Sequence, residues 1–153
     1  MPHKTYSAIF PIILRDNQQE ILLHLRQNTG YCDGFWDTAG SGHVEDNETA
    51  KEAVLRECKE EIGIEIDPCH LEFAHLTHHF SKKSDLNYYH IYFVVRSYVG
   101  IPAIMEPDKC LELRWFPLSE LPDHMIPCRK MAIEAWMKDI RYTEVEDKQK
   151  TDL

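Results

Sequence analysis

Two runs rich in apolar residues, Tyr6 to Arg15 and Glu20 to Arg26, flank the polar tetrapeptide DNQQ, a pattern that predicts two strands joined by a turn. Pro11 lacks a backbone donor, which points to an edge strand or a bulge in the first run. Thr29 to Asn47 holds most of the glycines and shows little periodicity, so it reads as a long loop with a short strand around Phe35 to Thr38. From Glu48 the period becomes helical. Ala50, Val54, Cys58 and Ile62, with Leu55, share one side, Asp46 or Asn47 is placed to cap the start, and Gly63 ends the helix. Beyond Asp67-Pro68, the β-rich runs Leu71 to Phe80 and Tyr88 to Tyr98 surround the turn SKKSDLN and predict a second hairpin. A short strand over Leu111 to Phe116 and a turn at LSELP follow. A second helix is predicted from Pro127 to Ile140, burying Ala132, Ile133, Trp136, Met137 and Ile140. From Thr143 the chain is polar and reads as a frayed tail. Strands interleaved with two helices predict an α/β (α+β) sandwich with a mixed sheet: one domain over residues 1–142, and a tail over 143–153.

The first helix has a second distinctive side. With Ala50 at zero and roughly 100° per residue, Val54, Cys58, Ile62 and Leu55 lie between roughly 40° and 140°. Glu57, Glu60 and Glu61 lie on the neighbouring arc, from roughly 280° to 20°, beside only Ala50 and Ala53. Glu57 faces Glu60 at i+3 and Glu61 at i+4, and each such like-charge pair is destabilising, more so when partly buried. Arg56 neutralises only one of these charges. A pair of glutamates on a helix is ordinarily a solvated face. Three carboxylates beside a small-residue surface are also what a hard divalent cation binds, and Mg²⁺ typically takes a few carboxylates together with water and substrate phosphates.

Composition narrows the choice of partners. A net charge of −9 over 153 residues argues against a nucleic-acid polymer as ligand, since such binding uses clustered Lys and Arg. An anionic small molecule bridged by a cation is still compatible with that charge. The five scattered cysteines include no CxxC pair and predict free thiols in a reducing, cytoplasmic setting. No run is long and apolar enough for a signal peptide or membrane span. The sequence leaves the oligomeric state open, a homodimer included.

Extended on both sides, the glutamate cluster becomes the pattern G-x5-E-x7-R-E-U-x-E-E-x-G-U, with U apolar, set by Gly42, Glu48, Arg56, Glu57, Cys58, Glu60, Glu61, Gly63 and Ile64. Its seven fixed residues, each used about once in fifteen, match by accident on the order of 10⁻⁸ per starting point, so chance is not the explanation. The segment Gly42 to Ile64 resembles the signature box of the Nudix hydrolases, the MutT-like enzymes. The resemblance implies an αβα sandwich and hydrolysis of a diphosphate bond in a nucleoside diphosphate linked to another group, with a nucleoside triphosphate as the ordinary guess. It implies Mg²⁺, or sometimes Mn²⁺, held by Glu57, Glu60 and Glu61, with Arg56 orienting a glutamate and Glu48 bracing the loop–helix junction. Gly42 and His43 would then face substrate, His43 standing where relatives often carry lysine. Glu60 or Glu61 would be the first candidates for general base, with Glu106, Asp108 or Glu112 from a later loop as alternatives. The purine-sanitising relatives read the base through an Asn or Asp near the last helix, where this chain has Cys128 and Arg129. A silent Nudix fold serving as a nucleotide-binding or sensor module, and an acidic divalent-cation buffer, are the competing readings.

Three histidines, His75, His78 and His79, lie close in sequence, but adjacent residues of a strand face opposite ways, which argues against a shared zinc site. His24 and His90 sit within apolar strand patterns and read as ordinary packed or exposed residues. Tyr31, Phe35, Trp36 and Trp115 are candidates to stack on a base, weighed against simple core packing.

Overall fold

The computed structural model describes residues 1–147. Strands β1 (Tyr6–Arg15), β2 (Glu20–Arg26), β3 (Trp36–Thr38) and β4 (Gly42–His43) precede helix α1 (Ala50–Ile62). Strands β5 (Leu71–Ser81), β6 (Tyr88–Val95) and β7 (Cys110–Pro117), helix α2 (Pro127–Met137) and strand β8 (Tyr142–Asp147) follow. The sheet runs β3-β2-β1-β6-β5-β8, with β4 paired to β1 and β7 to β2. Pairs β1–β6 and β5–β8 are parallel and the others antiparallel, which makes the sheet mixed.

Alternation along β1 builds the layers. Ala8, Phe10, Ile12 and Leu14 join Ala132 and Ile133 of α2 in one buried cluster, while Ile9 and Ile13 join Ala53, Val54, Cys58 and Ile62 of α1 in another. One helix therefore covers each face of the sheet, giving an αβα sandwich.

Pro11 does not mark an outer edge. It pairs with Phe93 in the parallel β1–β6 ladder, inside the sheet. On its other flank β1 pairs with β4 only at Ala8 and Ile9, and with β2 only at Leu14 and Arg15. Proline thus falls between the two antiparallel patches, where β1 has a registered neighbour on one side only. The same short β1–β2 pairing shapes the site. Past the turn the two strands part, β1 running with β6 and β2 with β3 and β7, and a wedge opens between them.

Strand β6 ends at Val95, short of the expected Tyr98, and three larger differences from the sequence reading have identifiable causes. Helix α1 starts at Ala50, capped by Thr49 rather than by Asp46 or Asn47. Thr49 accepts from the Glu52 amide in a reciprocal capping box, whereas Asn47 sits at φ 64°, outside the extended geometry of an N-cap. Helix α2 ends at Met137, Asp139 turns the chain at φ 60°, and Ile140 returns its amide to the Ala135 carbonyl, which leaves Met137 and Ile140 nearly half exposed. The frayed tail expected from Thr143 is, up to Asp147, strand β8 running parallel to β5. Its anchor is His75, whose ring nitrogens lie 2.7 Å from the Ile140 carbonyl oxygen and 2.8 Å from Thr143 Oγ1. Residues 148–153 of that expected tail lie outside the described residues. No described helix is long and apolar enough to cross a membrane.

Candidate active site

Helix α1 carries the acidic cluster, and Arg56 organises it. Its Nε and Nη2 donate to the two Glu48 carboxylate oxygens at 3.0 and 2.8 Å, its Nη1 donates to Glu57 at 2.7 Å and to Glu60 at 3.3 Å, and Nη2 also reaches the His43 carbonyl at 3.1 Å. One planar guanidinium thus ties β4, the loop before the helix and two turns of α1 together. Glu48 precedes the helix, accepts from the Glu45 amide at 2.8 Å, and is held down to about 2 by the Arg56 hydrogen bonds and then that amide.

Of the three glutamates on the acidic arc, Glu57 and Glu61 converge and Glu60 does not. The Glu60 side chain is 56% exposed at the rim. Glu57 packs on the Gly42 backbone so closely that a Cβ at position 42 would overlap its carboxylate, which accounts for glycine there. Glu61 lies one turn on and lines the adjoining cavity. Burial, then the neighbouring Glu57 and Glu106 carboxylates, push Glu61 up to about 9, and burial also raises Glu57 against the opposing pull of Arg56. Glu61 Oε2 is buried with no hydrogen-bond partner. A buried, unpartnered carboxylate oxygen beside a second carboxylate fits a hard divalent cation, which takes oxygen ligands and relieves the repulsion. Gly42 and His43 border the same cavity, as does Glu106; Glu112 is instead tied to Arg114 on β7, with contacts of 3.0 and 2.5 Å.

The cavity occupies the wedge between β1 and β2 and measures about 930 Å³. Beyond the glutamates it reaches a second buried polar group. Asp37, 1% exposed, accepts from Arg129 Nε and Arg26 Nη1 at 3.1 Å each and from the Thr38 amide at 2.8 Å. Burial alone would raise Asp37, but Arg129 foremost, then Arg26 and the Thr38 amide, outweigh it and hold the carboxyl below its ordinary value. The register explains the meeting. Trp36 bridges Met125, with backbone hydrogen bonds to His124 and Ile126, so its neighbour Asp37 lies beside the first turn of α2, where Arg129 stands. No local pattern links positions 92 apart, and the sequence reading passed over this pair. Its one signal was a charged residue at Arg129 among the apolar positions of the helix.

Of the two readings given for His24 and His90, packed and exposed, the structure has both packed, and both line this inner end of the cavity. Burial, then Arg129, His79 and His43, push His90 down to about 2. Among the described residues His79, His90 and Cys128 form a group whose ligand atoms lie within 4.8 Å of one another. It differs from the histidine trio weighed in the sequence, since His75 anchors β8 and His78 stacks on Tyr89. Arg129 Nη1 sits 3.4 Å from His90 Nδ1 and 3.2 Å from Cys128 Sγ, so a metal ion there would face a fixed positive charge. Of the four aromatic candidates only Tyr31 borders the cavity; Trp36 is core, Phe35 stacks on His124, and Trp115 lies under Arg15.

The neutral His90 has a measurable consequence. Below about pH 6.5 the unfolded chain binds a proton at this imidazole that the folded chain refuses, so acidification favours unfolding, by up to about 1.4 kcal/mol per pH unit. Glu57 and Glu61 act in the opposite sense when no metal is present, so the informative quantity is a difference. Between pH 7 and 5, wild-type Tm should fall more steeply than that of His90→Asn; equal slopes would refute a neutral buried His90.

Comparison with known proteins now adds to this geometry. The crystal structure of a MutT NUDIX hydrolase from Burkholderia pseudomallei superposes with a TM-score of 0.75 at 26% identity, covering 86% of this chain and 98% of that one. An 8-oxo-dGTP diphosphatase of Proteus vulgaris is 39% identical over 59 residues, 39% of this chain and 52% of its own, so the match spans about half of that relative. An oxidized purine nucleoside triphosphate hydrolase of Mus musculus is 28% identical over 116 residues, 76% of this chain and 70% of that one. The model of the NUDIX domain matches residues 5–136, nearly the whole folded chain, and together with the αβα sandwich and the complete Gly42–Ile64 box it shows that the chain belongs to the Nudix (MutT-like) hydrolase family.

Proposed function

We propose that the chain is a divalent-cation-dependent hydrolase of a diphosphate bond in a nucleoside diphosphate linked to another group, with a nucleoside triphosphate the leading candidate. The observation that carries this reading is the convergence of Glu57 and Glu61, one with an unpartnered buried oxygen, at the mouth of a cavity large enough for a nucleotide. The activities of the Proteus and mouse relatives, an 8-oxo-dGTP diphosphatase and an oxidized purine nucleoside triphosphate hydrolase, favour triphosphates. Glu57, Glu61 and the rim carboxylate Glu60 would hold Mg²⁺, or Mn²⁺ in its place. The cation would supply neutralisation of the diphosphate charge and acidify a bound water. Arg56 holds Glu57 and Glu60 in position, and Gly42 allows Glu57 to lie against the loop. With the neighbouring carboxylates offset by a cation, Glu61 would lose the proton its surroundings hold on it and would then be placed to receive the one released by an attacking water, with Glu106 as the other candidate. His43, 3.2 Å from the Tyr88 hydroxyl, borders the path of the substrate. The five free thiols fit a cytoplasmic setting.

Phosphate or pyrophosphate release from a panel of nucleoside diphosphate derivatives, with and without Mg²⁺, tests the reading. Mg²⁺-dependent release, lost in Glu60→Gln or Glu61→Gln, is expected. Nucleotide binding without turnover across the panel would instead leave a silent binding module, and cation binding with neither would leave a cation buffer.

A further inference from the structure

The inner end of the cavity is chemically unlike its mouth, and Arg129 is its central group. Arg129 is only 4% exposed, yet it lies on the cavity wall, its guanidinium carbon 3.7 Å from the centre of the Phe10 ring. Nε donates to Asp37, and Nη1 is shared between His90 Nδ1 and Cys128 Sγ. Nη2 has no acceptor within hydrogen-bond distance among the described residues. The Tyr92 hydroxyl is buried beside the guanidinium, off the cavity wall. Two guanidiniums, Arg26 and Arg129, share the single carboxylate of Asp37, while burial keeps His24 and His90 neutral. A chain of net charge −9 therefore places one excess positive charge at the inner end of this cavity. An uncompensated buried charge costs free energy, and a ligand that brings acceptors to it recovers part of that cost.

We propose that Arg129 is a specificity-determining residue: the substrate group that enters the inner end presents hydrogen-bond acceptors, and no opposing donor, to its Nη atoms. This rests on the nucleotide-hydrolase reading only for what is bound at the mouth. Phe10 beneath the guanidinium, with Tyr31 and Tyr88 on the walls, suits a planar ring more than a solvated anion. A purine with a 6-keto group offers adjacent O6 and N7 acceptors that a guanidinium bridges, whereas adenine sets an amino donor against it. A phosphate elsewhere on the nucleoside carries the same acceptor chemistry and is the alternative source.

Binding of unphosphorylated nucleosides separates these outcomes without metal or turnover. Titrations followed by NMR, including the side-chain Nε resonance of Arg129, would compare guanosine and inosine with adenosine, and adenosine 3′-phosphate with adenosine. Guanosine and inosine are expected to bind about tenfold more tightly than adenosine, the discrimination of one good bidentate pair. The Arg129 signal should move with them, and Arg129→Lys, which keeps the charge and loses the fork, should abolish the preference. A tenfold preference for the 3′-phosphate alone would support the acceptor rule and assign it to a phosphate. Both ratios below tenfold, or a preference that survives in Arg129→Lys, would overturn the proposal; should that variant fail to fold, the wild-type ligand series decides. A preference with no Mg²⁺-dependent turnover would remove the hydrolase reading and leave this one standing, and turnover without a preference would do the reverse.

Discussion

Replacing Glu61 by glutamine is expected to cut Mg²⁺-dependent turnover by at least about 100-fold while leaving the metal-free protein as stable as wild type or more so. The two effects have one cause. Glu61 sits against Glu57 and near Glu106, most of it out of water, and its Oε2 has no partner. In the empty site burial beside those carboxylates makes Glu61 take up a proton on folding at neutral pH, and that uptake opposes folding. Glutamine keeps the size and the chance of a hydrogen bond to Glu57 and needs no such proton. The same change deletes the anionic oxygen that a cation would use, and the group placed to take a proton. Steady-state kinetics with a Mg²⁺ titration and a thermal melt in EDTA would measure both. A variant that retains a tenth or more of the activity would remove Glu61 from the site. Lost activity accompanied by a lower metal-free Tm would mean that the residue serves the fold instead.

That pairing of effects could be written from sequence because the acid residues share one regular helix. Periods of 3.6 residues convert spacing into angle, so Glu57 and Glu61, four apart, had to lie on one side of α1, beside the apolar stripe of Val54, Cys58 and Ile62. Glu60 belonged to the same arc, yet its side chain turns out to the rim; an arc fixes direction from the helix axis and says nothing of what stands opposite. The helix start was also readable and was misplaced. Thr49 followed by Glu52 is a capping box, a stronger signal than the nearby Asp46 and Asn47.

Other features resisted for reasons that are equally physical. Strand β8 looked like a tail because an edge strand with one neighbour needs little apolar surface; Thr143 and Val145 turn partly inward, while Tyr142, Glu144 and Glu146 are exposed. Helix α2 was overrun because Met137 and Ile140 continue an apolar period past the point where Asp139 breaks the helix. The inner end of the cavity was the larger omission. Asp37 lies in a three-residue strand inside a glycine-rich segment and Arg129 in a helix, and each alone reads as a surface charge. Only the Trp36–Met125 bridge, a tertiary fact, brings them together. The box announced the glutamate cluster, whereas Phe10, Arg26, Asp37, His79, His90 and Arg129 at the inner end of the cavity come from five separate strands and the far helix.

The second large effect is expected at that pair. Asp37→Ala would leave Arg129, 4% exposed, and Arg26 without their shared carboxylate, and uncovering a buried charge in this way typically costs about 3–5 kcal/mol. For a chain of this size such a loss lowers Tm by roughly 6–20 °C. The magnitude reflects desolvation more than attraction, since two charges brought out of water nearly offset their mutual gain, and the penalty appears only when one is left alone. A second substitution therefore discriminates. Asp37→Ala combined with Arg129→Met removes both charges and keeps the bulk over Phe10, so it should regain more than half of the lost stability. If Asp37→Ala alone costs less than about 1 kcal/mol, the pair is not the buried, mutually dependent unit described, and Arg129 would have to find its counter-charge elsewhere. If the single variant is costly and the double variant is no better, the loss belongs to the Thr38 amide and the turn that Asp37 holds, rather than to an orphaned guanidinium.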